Sequence, residues 1–185
     1  MIQDSLALRL QKIIERCSRD RRLYGAVVKT LMYTVEFEDK LAKRSKRQGN
    51  AALNRILSGP WDNDLNELEE VRAIPVNEFL SYLQRNSPLL VAFETVLGEL
   101  LYVVDRGCAK IAIARERGMK KVPVEVYSPP YRIPRGGDFS VKRIDSNWVS
   151  IVGGTPPEVV LPVKREETDV ILSLLELRGL KTSAR

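Results

Sequence analysis

Histidine is absent from the 185 residues, and cysteine occurs only twice, at Cys17 and Cys108. These two lacks remove much familiar enzymology. A Ser-His-Asp or Cys-His nucleophile needs an imidazole base, a histidine-ligated metal needs ring nitrogens, and a four-cysteine zinc site needs more thiols than the chain has. No catalytic residue, no metal and no cofactor is therefore expected. Both cysteines lie in apolar, helix-like surroundings, where a buried free thiol is the ordinary state. Long hydrophobic runs are lacking too. The longest, Leu89 to Val104, is interrupted by Glu94 and Glu99 and is shorter than the roughly 20 residues a bilayer helix requires. Met1 opens a stretch carrying Asp4 and Arg9 instead of the apolar core of a signal peptide. The expectation is a cytoplasmic protein with no membrane segment.

What is present is charge, unevenly placed. The net charge is +6, yet Met1 to Arg55 holds 13 basic and 6 acidic residues while Ile56 to Leu100 holds 2 basic and 8 acidic. A basic stretch of this kind attracts nucleic acid, and an acidic one docks onto a basic surface.

Apolar spacing divides the chain. Leu6, Leu10, Ile13, Ile14 and Cys17 recur at three and four residues, one face of a helix. A second helix is expected from about Leu23 through LAKRSKRQGN, stopping near Gly49 and Asn50, and a short one from about Ala52 to Leu57. Asp64 is placed to cap a helix beginning at Leu65, and Pro75 opens another with Ile74, Phe79, Leu80 and Leu83 on its apolar side. Asn86 to Pro88 breaks it, and the segment from Leu89 to Arg117 reads as a long helix. After Gly118 the run KKVPVEVYSPPYRIPRGGD has the proline content of an extended linker, with Tyr127 and Tyr131 flanking two of its prolines. FSVKRI, WVSIV and EVVLPV then alternate as strands, and EETDVILSLLELRGL reads as a closing helix stopped by Gly179.

The fold class expected is thus α+β: an N-terminal all-α helical bundle over 1–118, a Pro-rich linker over 119–138, and a small C-terminal β-rich module with a terminal helix over 139–185. If Leu97 to Arg117 is one helix, Leu97, Leu100, Leu101, Val104, Cys108 and Ile111 form its apolar stripe. Arg106, Lys110 and Arg117 then fall with Glu99 on one polar line, and Glu94, Asp105 and Glu116 on another. Charges sorted in this way meet opposite charges on a neighbouring element or face water. That makes Asp105, Arg106, Lys110 and Arg117 the candidate residues of a subunit interface in an oligomer.

A second candidate surface is basic. Lys40, Lys43, Arg44, Lys46 and Arg47 crowd into LAKRSKRQGN with no aromatic residue among them, a pattern suited to phosphate contacts without sequence readout and equally to a solvated helix end. RGGD and VGGTPP lack the spacing of phosphate-binding loops and read as turns. Trp148 is a packing anchor or, if exposed, a partner-docking residue.

The layout resembles the archaeal GINS subunit family. AIPVNEFLSYLQ (Ala73–Gln84) is similar to that family's proline-led helix entry, VVDRGCAKIAIARERG (Val103–Gly118) to its long helix, and EVVLPVKREETDVILSLLELRGL (Glu158–Leu180) to the end of its small module. The resemblance implies a non-catalytic subunit of a DNA replication complex that scaffolds the replicative helicase, with sister GINS subunits, the MCM helicase and a RecJ/Cdc45-like protein as partners. The alternative from the residues themselves is a basic nucleic-acid-binding protein using Lys40 to Arg47, in contact with DNA or RNA.

Overall fold

The structure, a computed structural model, describes residues 2–25, 27–28, 43–58, 64–94 and 98–131, together with the strands at 140–143, 148–152, 159–162 and 181–184. The first helix, α1 (Ile2–Cys17), buries Leu10, Ile13, Ile14 and Cys17, the face that the spacing indicated. Burial in this apolar setting pushes the Cys17 thiol up to about 12. Residues 21–25 and 27–28 are helical as well. Asp20 begins that turn, its Oδ1 accepting from the backbone N–H groups of Arg22 and Leu23 at 2.9 and 3.2 Å.

From there the expected architecture gives way. The chain does not build an all-helical bundle followed by a β module; its centre is a five-stranded mixed sheet with helices packed around it. The strands are β1 (Ser45–Ala52), β2 (Ile56–Leu57), β3 (Leu89–Glu94), β4 (Leu100–Arg106) and β5 (Lys121–Ser128), in the order β1-β5-β3-β4-β2. β1 and β2 are joined by a single 3-10 turn at Leu53–Arg55. β1 runs antiparallel to β5 and β3 antiparallel to β4, while β3 with β5 and β2 with β4 are parallel.

Two segments account for the difference. Leu89–Phe93 is an unbroken apolar run because β3 lies mid-sheet and is covered on both faces, with Leu90 and Phe93 fully buried. A continuous apolar run reads alike as a buried strand or a buried helix. The decisive punctuation is glycine: Gly98 and Gly107 adopt φ of +79° and +96°, conformations open to glycine. Gly107 ends β4 and starts helix α4 (Cys108–Glu116), so within the 29 residues read as one helix the described ones include two strands, Leu89–Glu94 and Leu100–Arg106, and one short helix. The second segment is SKRQGNAA, whose first six side chains are exposed because β1 is an edge strand. It needs no apolar face over most of its length, so the two-residue signature of a strand is missing.

Two calls hold. Helix α2 (Leu65–Arg72) begins where expected, with the Asp64 carboxylate accepting from Asn66 N at 2.8 Å, and α3 (Val76–Arg85) follows Pro75. Phe79 and Leu83 of α3, Val71 of α2, and Ile111, Ile113 and Ala114 of α4 share a core with Ala51, Leu90, Val104, Val122 and Val124 of the sheet. The alternating valines of KVPVEVYS make β5, inside the stretch read as linker. FSVKRI, WVSIV and EVVLPV yield β6 (Ser140–Arg143), β7 (Trp148–Val152) and β8 (Val159–Pro162), which with β9 (Lys181–Ala184) form a second sheet in the order β8-β7-β6-β9. The expected terminal helix at EETDVILSLLELRGL lies outside the described residues. No helix among the described residues is long and apolar enough to cross a membrane.

Candidate functional site

Lys43 and Arg44 lead into β1, and Lys46 and Arg47 project from it. All but the half-buried Arg44 are exposed. The register of β1 against β5 sets Lys46 directly opposite Tyr127. Cross-strand partners share a face of the sheet, and the Lys46 Nζ stands 5.8 Å from the centre of the Tyr127 ring. Arg44, two residues earlier, lays its guanidinium 3.6 Å over the Tyr131 ring and donates from Nη1 to the carbonyl of Pro129. Tyr131 is itself fixed, its N–H donating to Ala92 O and its own carbonyl accepting from Glu94 N, both at 2.9 Å. Two cations on the edge are thus held by cation–π contacts with side chains the rest of the fold positions. Arg47 alternates to the opposite side of the strand.

Tyr127 links this edge to a second group. Its hydroxyl donates to Asp105 Oδ2 at 3.1 Å, across the intervening β3. Burial, followed by the Asp105 carboxylate, raises the Tyr127 phenol above its ordinary value. Arg106 stands beside Asp105, Nε to Oδ2 4.0 Å, with 71% of its side chain exposed. Lys46, Asp105 and Arg106, which the sequence assigned to two different surfaces, therefore meet around one tyrosine. Lys46 and Arg106 thus flank Tyr127 together with the Asp105 carboxylate, Arg44 lies on Tyr131, Lys43 and Arg47 are exposed on the same edge, and Glu125 faces Gln48 further along the strand pair.

The other expected residues lie elsewhere. Lys110 on α4 points its Nζ to within 5.9 Å of the Tyr82 ring. Arg117, at the end of α4, covers the Phe79 ring at 4.2 Å and donates to the carbonyls of Arg72 and Ile74. Lys110 therefore packs α4 against α3, and Arg117 ties the end of α4 to α2 and α3, all within one chain. Nor do the two charged lines of a continuous helix exist, because β4 is a strand. Glu116 takes a two-pronged ion pair from Arg72, which holds its carboxyl below the ordinary glutamate range, and Glu99 pairs with Arg55 at 2.9 Å. Lys40 lies outside the described residues, and Trp148 is the first residue of β7, paired in register with Pro162.

Tyr127 and Tyr131 were legible only as residues flanking prolines. The signal that places Tyr127 is the alternation of Val122, Val124 and Val126, which makes the run a strand with Tyr127 on the opposite face. Among the described residues no group of three or more His, Cys, Asp or Glu is arranged to hold a metal ion. Exposed cations gathered on one strand edge create a positive potential that attracts anionic groups. Searches of protein-family models, curated proteins and solved structures give no match for this chain.

Proposed function

We propose that the protein binds nucleic acid through the phosphate backbone, with Lys43, Arg44, Lys46 and Arg47 on the β1 edge and Arg106 beside them. The observation that carries this reading is the exposed edge strand that presents four cations within five residues, two of them held over tyrosine rings. Side chains two apart on a strand are spaced by about 6.6 Å, a repeat of the same order as the phosphates of one nucleic-acid strand. The tyrosines are 8% and 1% exposed, so they orient the cations and offer no ring face to a base. Contacts of this kind position a protein without reading sequence.

The replication-scaffold reading leaned on a long helix from Val103 to Gly118, where the chain instead has β4, Gly107 and α4. The geometry therefore favours the nucleic-acid reading over it. Cations on a free sheet edge also deter strand-to-strand association, and one experiment separates the two roles. Binding of fluorescent duplex DNA is measured by anisotropy across a salt series. Five phosphate contacts give a slope of log K against log salt of about −4.5, and each cation replaced by alanine lowers its magnitude by about 0.9. Equal affinity for unrelated sequences is expected. A K43A/R44A/K46A/R47A variant that aggregates while keeping the same salt slope assigns these residues to edge protection and ends the proposal.

A further inference from the structure

A cleft of about 570 Å³ lies between α1 and the turns that follow β1 and α4. Ligand sites usually fall between about 300 and 1,000 Å³. Ile14 and Leu53, both 5% exposed, and the half-buried Met119 give it an apolar floor. Arg115 forms part of the wall. Its guanidinium donates to the carbonyls of Leu53, Ile56 and Ser58 and to the Ser58 hydroxyl, so among the described residues its charge meets dipoles and no carboxylate. Burial lowers its pKa, as expected of a cation left without a counter-charge. Lys120 and Lys121, both exposed, complete the lining, and neither forms an ion pair among the described residues. The single acid of the lining, Glu15, accepts a hydrogen bond from Gln11 at 3.0 Å.

Three cations and one carboxylate around an apolar floor define one class of ligand. We propose that this cleft binds a small organic anion with an apolar body, its head group against Lys120 and Lys121 and its body against Ile14, Leu53 and Met119. An inorganic anion would leave the floor unfilled, and a neutral apolar molecule would leave the cationic wall uncompensated. The site is separate from the β1 patch. Lys121 pairs with Ala52 at one end of the β1–β5 ladder and Tyr127 with Lys46 towards the other, about 20 Å away along the strand.

The test is a fluorescence titration of the whole protein with anilinonaphthalene sulfonate, an aromatic anion whose emission rises when it leaves water. Saturable one-to-one binding is expected. K120E/K121E should weaken it by about tenfold or more, and N54W, at an exposed lining position, should block the cleft. Both variants change exposed side chains, and unchanged circular dichroism melts establish that they fold. K46A/R47A should leave the titration unaltered, which keeps this result independent of nucleic-acid binding. Displacement of the probe by octanoate supports an acyl carboxylate as the ligand, and displacement by adenosine monophosphate supports a nucleoside monophosphate. Displacement by neither, or binding that K120E/K121E and N54W leave unchanged, overturns the proposal.

Discussion

The hydroxyl of Tyr127 donates to Oδ2 of Asp105 at 3.1 Å and so ties β5 to β4 across the strand between them. The bond needs a protonated phenol, and burial favours the same form, which is why the phenol's pKa is raised. Tyr82 and Tyr102 are raised for the same first reason, burial, and Cys17 is pushed up from 9.0 to about 12. A folded-state pKa above the unfolded one means the native state holds its protons longer. Its stabilisation is complete below the unfolded pKa and is lost as pH rises through the folded one. Urea unfolding measured from about pH 8 to about pH 11 should therefore show stability falling from about pH 9 upward. Tyr127→Phe should cost about 0.5–1.5 kcal/mol at neutral pH through the lost hydrogen bond and should flatten part of the decline above about pH 10.

Gly107 is fixed twice over. Its φ of +96° is a glycine conformation, and a Cβ at this position would lie 2.9 Å from Pro88 Cβ and 3.0 Å from Pro88 Cα. Gly107→Ala should destabilise the protein by about 1–3 kcal/mol in thermal or urea melts. Gly49 on β1 is the control, since a Cβ there meets nothing within 4 Å. Gly49→Ala should be neutral or should stabilise by up to about 1 kcal/mol through the unfolded chain.

Local signals were readable where a segment's own residues decide its structure. Asp64 caps α2 with its own side chain, Pro75 opens α3, and the alternation in WVSIV needs no distant partner to mark a strand. The sheet was hidden because its evidence is long-range. Ser45 pairs with Ser128, 83 positions away, and only that pairing turns SKRQGNAA from a basic helix end into an edge strand. Leu89 to Arg106 was hidden for another reason: strands buried in mid-sheet lose the alternation by which strands are recognised. The candidate site followed the same division. The cations were visible as a run, whereas their tyrosine partners and their proximity to Arg106 depend on strand order.

On α3 the sequence grouped Leu80 with Phe79 and Leu83, but the structure separates them. Leu83 is fully buried among Phe79, Ile111 and Val124, while Leu80 is 51% exposed. Leu83→Ala should cost about 2–5 kcal/mol, the removed contacts plus the cavity left behind. Leu80→Ala should stay within about 0.5 kcal/mol. Equal losses at the two positions in urea unfolding would show that another surface covers Leu80 in solution.

Arg117 poses the sharpest test of what was expected to be a subunit interface. Its Nη2 donates to the carbonyls of Arg72 and Ile74 at 3.0 and 2.6 Å, and its guanidinium covers the Phe79 ring at 4.2 Å. Arg72 is the last residue of α2, so the guanidinium satisfies carbonyls at a helix C-terminus that have no partner within that helix. A favourable charge at that end adds to the effect. Arg117→Ala should therefore destabilise the single chain by about 1–3 kcal/mol, with Arg117→Lys between the two because an ammonium cannot reproduce the planar fork. Urea unfolding at two protein concentrations distinguishes the roles. An intrachain clamp gives the same loss at both concentrations, whereas an interface residue gives a loss that grows as the protein is concentrated and vanishes on dilution.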